Sequence, residues 1–501
     1  MRAVLGLLAA TLSASAYAVP LREPVDRAIL PVDGREATLT LDGAGMPPPA
    51  SISLLRDDGS AIPVVSATMR EPDGWRVRVT VPAGGWYRLA TRDGVGAEWQ
   101  GTARFAVGLV IAITGQSQAD AFIREIGPAL GSAQARGTLP DGLVASVMLP
   151  AGTADPCGAD HRAHWVAADD RRANQIGARA LAERLSALAA MPVGLLATAW
   201  GGVGIEAFAP TGCLAPRIVA FAQAAGGAHA VLMLGHGTSD AWRGTTREAY
   251  ATGLAAFADM VARGVPGAGG APPLTVLAPV SRQHPPLGMA RSSRLARALL
   301  PAENSESLAT WLGLAAPARA PRFEAGLRAV RAAQLGAIEA GLFRYGGSLD
   351  ALPVRADGVH WAEAAHAPAG RALADALAYH LGVSDTDPRG PVLVEAVTVG
   401  RQVLLRFAGD APLAPPPRGR RPCCVLVETP DGRRVPVLHA APLDDPRAML
   451  LTLGYAPPPG TRVLLGPPGA AGPFEAGNDL RDTRGRPVLP VLIGVPLVQA
   501  R

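Results

Sequence analysis

Ile111-Ala112-Ile113-Thr114-Gly115-Gln116-Ser117-Gln118-Ala119-Asp120 is the stretch that decides how this chain folds. An apolar run from Leu109 to Ile113 ends in Thr-Gly, and a serine follows at once. A short β-branched run closed by glycine predicts a buried strand. A serine just past such a strand stands at the carboxyl edge of a sheet, where open α/β folds form their ligand crevices. A serine hydroxyl is a weak nucleophile until a base takes its proton, so the reading asks for a histidine and a third group to orient it. Asp357-Gly358-Val359-His360, far downstream, offers both.

Outward from this stretch, residues from about 106 alternate between strands and helices. Val193 to Ala197 and Ala230 to Leu234 read as further buried strands, and Leu274 to Val280 as a fourth. A helix around 171 to 190 puts Ile176, Ala180, Leu181, Leu185 and Leu188 on one face. Pro216 suits the first position of a short helix. Thr245 and Glu248 make a capping box for a helix carrying Tyr250, Leu254, Phe257 and Val261. A long helix runs from about Phe323 to Leu342, and Pro368 opens a last one with Leu373, Leu377 and Leu381, stopped by Gly382. The alternation implies a mostly parallel sheet with helices on both faces.

Both flanks read as β. Trp75, Val77, Val79 and Val81 alternate with Arg76, Arg78 and Thr80, and turn signals at Asp58-Gly59, Ala83-Gly84-Gly85 and Asp93-Gly94 suggest a small sandwich. After about 384, Val392 to Val399 and Val403 to Phe407 are apolar runs, Pro412 to Pro422 is loop-like, and Asp431-Gly432 marks a hairpin. The expected organisation is a signal peptide over 1–18, an N-terminal β domain over 19–105, an α/β domain over 106–383 and a C-terminal β domain over 384–501. The first of these rests on Arg2, the apolar run Ala3 to Leu12, and the small-residue site Ala16-Tyr17-Ala18, with cleavage after Ala18. The expected location is therefore periplasmic or secreted.

Composition narrows the function. The chain has 501 residues, 49% of them hydrophobic and 18% charged, enough to bury a large core. Its net charge of +5 comes from arginines alone, scattered except at Arg418, Arg420 and Arg421, so no nucleic-acid-binding stripe is visible. The uncharged run from 185 to 205 is broken by Pro192, Gly194, Gly201, Gly202 and Gly204, and reads as helix end, strand and loop with no membrane span. Of the four cysteines, Cys157 and Cys213 sit in loop-like sequence and form the plausible disulfide, whereas adjacent Cys423 and Cys424 read as strand residues. His161-x-x-His164 lacks a third ligand in view, and a metal site is not expected.

Three predicted strand ends carry small or polar residues: Gly115-Gln116-Ser117, Gly201-Gly202 and His236-Gly237. In a parallel sheet they share one edge, and the Asp357 to His360 turn closes it. Acyl transfer needs a nucleophile, a base, an orienter and oxyanion donors, and these stretches supply one set. In this order they resemble the SGNH (GDSL-like) hydrolases, and within them the sialate O-acetylesterase-like carbohydrate esterases. That family's Gly-Gln-Ser-Asn appears as Gly115-Gln116-Ser117-Gln118 and its Gly-Gly-Thr-x-Ile-Glu as Gly201 to Glu206. Its Gln-Gly-Glu-Ser-Asp-Ala appears as His236 to Ala241, and its Asp-Gly-Val-His as Asp357 to His360, followed by Trp361. Asn478-Asp479-Leu480 to Pro487-Val488-Leu489-Pro490 is similar to the family's β tail.

The resemblance implies an SGNH-type three-layer α/β/α parallel sheet, flanked by an N-terminal β-sandwich-like unit and a C-terminal β unit. It implies Ser117 as nucleophile, His360 as base and Asp357 as orienter. The oxyanion donors would be the N–H groups of Ser117 and Gly202 and the side chain at His236. Gln116, Glu206 and Trp361 would touch substrate. No metal or organic cofactor is implied, and the substrate would be an acetylated carbohydrate. Three positions depart from the motifs: Gln118 replaces Asn, His236 replaces Gln and Thr238 replaces Glu. The reading is an exported serine esterase removing O-acetyl groups. The alternatives are a polysaccharide O-acetyltransferase using the same triad, and a glycan-binding protein on a decayed esterase scaffold.

Overall fold

The strand anticipated at Leu109 to Ile113 is longer than its apolar run: Phe105–Gly115 (β1) is buried at every residue. A computed structural model describes residues 24–44, 48–64, 66–71, 74–123, 145–150, 163–167, 176–281, 283, 320–350, 352–354, 359–414, 425–466 and 480–499. The remaining strands of the central sheet are Ala145–Pro150 (β2), Ala163–Ala167 (β3), Val193–Ala197 (β4), Ala230–Leu234 (β5), Leu274–Ala278 (β6) and Arg344–Tyr345 (β7). Their order is β3-β2-β4-β1-β5-β6-β7, all parallel except β3 against β2. Because β1 has β4 on one side and β5 on the other, the chain reverses its winding direction there. That reversal opens a crevice at the carboxyl end of β1.

The α-helices among the described residues are Ser117–Ile123 (α1), Ile176–Ala189 (α2), Ala215–Ala225 (α3), Thr238–Arg243 (α4), Arg247–Gly264 (α5), Ala320–Glu339 (α6) and Glu363–His380 (α7). α1, α2 and α7 pack as one group and α4, α5 and α6 as another, which covers both faces of the sheet. Among the described residues, no helix is long and apolar enough to cross a membrane.

The flanks are β, as expected. Glu36–Ala44, Gly74–Pro82 and Ser66–Glu71 form a three-stranded sheet in which Trp75, Val77, Val79 and Val81 are buried. The second N-terminal layer joins β1 itself: Ile29–Pro31 pairs parallel with Ala106 to Gly108, and Gly84–Arg92 pairs antiparallel around Phe105 and Val107. These N-terminal strands share one continuous apolar core with the α/β layers. The C-terminal strands form a five-stranded and a four-stranded sheet around a separate core that includes Leu393, Val403, Leu405, Val427, Leu451 and Val463.

Some local expectations shift. Pro368 does not open its helix but lies inside it, at the sixth residue after Ala362. There it removes only the N–H that would bond the carbonyl of Ala364, and the buried Leu373 and Leu377 hold the helix onward. The cap of α5 is Thr246, whose side chain accepts from the N–H of Ala249, and not Thr245. Ile176 is 42% exposed because it is the first residue of α2, ahead of the face that buries Leu181 and Leu185. The proposed signal peptide, Cys157, Cys423, Cys424, His161, Asp357 and Gly358 lie outside the described residues.

Candidate active site

The end of β1 is forced into a tight turn. Gly115 has φ +138°, and a Cβ there would lie 2.3 Å from the carbonyl oxygen of Leu234 on β5. Glycine is the one residue that fits both the angle and the approach. The turn makes Ser117 the first residue of α1, partly exposed at the carboxyl edge of the sheet.

The chain after β4 is laced to the same edge. Thr198 donates its N–H (3.1 Å) and hydroxyl (3.0 Å) to the carbonyl of Ile113, and Trp200 N–H donates to the carbonyl of Gly115 at 3.0 Å. This brings the Gly201-Gly202 turn beside the serine: a Cβ on Gly201 would sit 3.7 Å from the Cβ of Ser117. Gly202 has φ +78°, and nothing lies within 4 Å of where its Cβ would be, so its backbone borders open space.

From the turn ahead of α7 comes His360. Its Nε2 is 2.7 Å from Ser117 Oγ, across 243 residues of sequence. Both side chains are only part-buried, so the pair is reachable from solvent. A hydroxyl and an imidazole nitrogen at this distance can exchange a proton directly. Asp357 belongs to the segment outside the described residues.

The remaining candidates behave differently. Gln116 is buried, and its amide is engaged by backbone at both ends. Nε2 donates to the carbonyl of Val203, and Oε1 accepts from Thr238 N–H at 3.0 Å and Ser239 N–H at 3.4 Å. Glu206 stays at the surface in a short 3-10 turn, ion-paired to Arg243 at 2.6 Å. Trp361, expected at the substrate, is instead 1% exposed. Its indole N–H donates to Ser281 Oγ at 3.1 Å, and its ring meets Phe122 and His366 edge-on. An aromatic this large gains more from full burial than from a wet rim, so it serves the core.

His236 also departs from expectation. It has no exposed surface. Its ring lies edge-on to Phe208 and stacked on Tyr250, whose hydroxyl is 2.8 Å from Nδ1. Burial, with a smaller push from Arg243, drops its pKa to about 3, so the ring is neutral near neutral pH. A side chain closed off in this way cannot reach an oxyanion in the crevice as the molecule stands. Its Nε2 is 4.0 Å from Asp240 Oδ2. Asp240 Oδ1 accepts the N–H of Ile205 at 3.1 Å.

Gln283 went unnoticed in the sequence, and Gln118 stood out there only as a departure from the motif. Gln283 follows β6 and reaches the loop of the base, and Gln118 does the same from α1. Gln283 could have been suspected by the rule that found the others, a polar residue soon after a buried strand. Among the described residues, no group of His, Cys, Asp and Glu is clustered to hold a metal.

No protein-family model and no curated protein matches the chain in sequence. Solved structures do resemble it. A carbohydrate acetylesterase from Xanthomonas citri superposes with a TM-score of 0.59 at 19% identity, over 93% of this chain and 97% of that one. A carbohydrate acetylesterase from Sinorhizobium meliloti gives a TM-score of 0.31 at 12% identity, over 54% of this chain and 99% of its own. An inhibitor-bound aryl esterase from M. smegmatis gives 0.31 at 14%, over 54% and 98%. Scores of that size add nothing to the assignment, which rests on the first. Along nearly its whole length the chain therefore shares the fold of a solved carbohydrate acetylesterase: an α/β core with β sheets at both ends.

Proposed function

We propose that this protein is a serine esterase that removes O-acetyl groups from a carbohydrate. The observation that carries the reading is the 2.7 Å contact between Ser117 Oγ and His360 Nε2 at the carboxyl edge of the sheet. In this reading Ser117 attacks the acetyl carbonyl while His360 takes its proton. The oxyanion is received by the N–H groups of Ser117 and Gly202, the latter beside open space. His360 then protonates the departing sugar oxygen, and a water activated by the same imidazole frees acetate from the acyl-enzyme. Asp357 is the proposed orienter of His360. The fold shared with the Xanthomonas citri acetylesterase supports the substrate class. Export is part of the proposal, and the disulfide bond of Cys213 fits an oxidising compartment.

The test is hydrolysis of an aryl acetate and of acetylated sugars by purified protein. Ser117→Ala should retain the melting temperature and lose about four to six orders of magnitude in kcat. Undiminished turnover in that variant refutes the assignment.

A further inference from the structure

A chain of hydrogen bonds through three glutamine amides runs beside the Ser117–His360 pair. Gln118, adjacent to the serine on α1, donates its Nε2 to the carbonyl of Val359 at 2.6 Å. Val359 immediately precedes His360. Gln283 Nε2 approaches the same carbonyl at 3.5 Å and is held by the hydroxyl of Thr238 at 2.9 Å. Thr238 N–H donates to Gln116 Oε1, and Gln116 Nε2 reaches the carbonyl of Val203, next to Gly202. The two glutamines that flank the nucleophile thus hold different parts of the site. Gln116 holds the turn that carries Gly202, and Gln118 holds the turn that carries the base.

We infer that Gln118 is a positioning residue for the Ser117–His360 pair. This rests on the esterase reading above. Three observations support it. The bond runs to the backbone one residue before His360, so its length sets the height of the imidazole over Ser117. The length is particular to glutamine, since asparagine is one methylene shorter and cannot span to Val359 from the same Cα. Finally, Gln118 is not arranged for stability. Its Oε1 is buried with no hydrogen-bond partner among the described residues, lodged in the space left by Gly235, where a Cβ would come within 2.5 Å of it. A buried unsatisfied carbonyl oxygen is a cost that an apolar side chain of equal size would not incur. The residue is therefore better explained by what it does for the base than by what it does for the core. It also fits the departures at 118 and 238: the longer Gln118, with Thr238 and Gln283, makes one connected set.

The experiment uses Gln118→Met, which keeps the volume and drops both polar atoms, and Gln118→Asn, which keeps the amide and drops the reach. The readouts are melting temperature, kcat and KM on an aryl acetate, and the rate of covalent labelling of Ser117 by a fluorophosphonate, with Ser117→Ala alongside. Gln118→Met should melt close to the parent, because it loses the bond to Val359 and the unsatisfied Oε1 together. Both variants should lose about tenfold to a hundredfold in kcat and in labelling rate, with KM changed by no more than about twofold. A Gln118→Met protein with parental kcat and labelling, in a series where Ser117→Ala is inactive, overturns the inference and leaves the esterase reading intact. A melting temperature that falls in step with kcat in both variants makes Gln118 a structural tie and also overturns it. An active Ser117→Ala protein overturns the esterase reading itself.

Discussion

Asp240 sits in an environment at odds with its charge. It is 1% exposed, and among the described residues only its Oδ1 has a hydrogen-bond partner. Burial first, and then the nearby Glu206, push its pKa up to about 6. Between its ordinary value of 3.8 and 6, the folded protein holds a proton there that the unfolded chain has released. Stability from this group is therefore present at low pH and lost as pH rises through that window. Asp240→Asn keeps an acceptor for the Ile205 N–H and abolishes the ionisation. Variant and parent should have equal unfolding free energies near pH 4, and the variant should be more stable by about 1 to 3 kcal/mol at pH 7. Urea unfolding across that range checks it, and a difference that does not change with pH contradicts the assignment.

At the scale of elements, strand β1 is fixed from its side by an imidazole. His229, just ahead of β5, accepts the N–H of Val110 on Nδ1 at 3.0 Å and lies 2.9 Å from the carbonyl of Val32 on Nε2. Only the neutral ring with its proton on Nε2 satisfies both partners. Burial holds its pKa below the usual value. The unfolded chain takes up a proton near pH 6.5 and the folded one does not, so stability is full above that pH and declines below it. His229→Ala should cost about 1 to 3 kcal/mol at pH 8, by leaving the Val110 N–H without a partner. The cost should shrink at pH 5.5, where the parent itself is weakened. Elements of this kind were the most legible in the sequence. Val193–Ala197 and Ala230–Leu234 appear at the bounds their apolar runs suggest. Helix starts were less legible: Thr245 and Thr246 offer the same hydroxyl one residue apart, and proline 368 hides a start five residues earlier. The meeting of Ser117 and His360, with the Gly201-Gly202 turn beside the serine, was legible because short motifs mark each of these stretches. The site was not legible where tertiary packing decides, since nothing local says that His236 and Trp361 are closed off or that Gln118 meets Val359.

At the scale of the whole molecule, α6 joins two cores. Arg331 Nη2 pairs with Asp350 Oδ2 at 2.5 Å, and its Nη1 donates to the carbonyl of Gly466 in the C-terminal sheets at 2.8 Å. Both charged side chains are almost wholly buried. One turn on, Gln334 donates to the carbonyl of His236 at 2.7 Å and accepts from Val280 N–H at 3.0 Å. Removing one member of a buried pair takes away the other's counter-charge, so Arg331→Met should lose about 3 to 5 kcal/mol. Adding Asp350→Asn should recover a good part of it. Denaturation of the two single variants and the double variant reads this directly, and strict additivity contradicts it.

The double membership of β1 bears on how such chains can be recombined. Its first residues are edged by N-terminal strands and its last by β4 and β5, so no seam separates the two sets. A graft that exchanges the leading β layer by cutting near residue 105 leaves β1 whole but strips the strands that edge its first residues. Hybrids should keep their serine in register only when the splice falls ahead of Ile29, and transplanting the α/β layers alone should yield a protein with one raw, sticky flank.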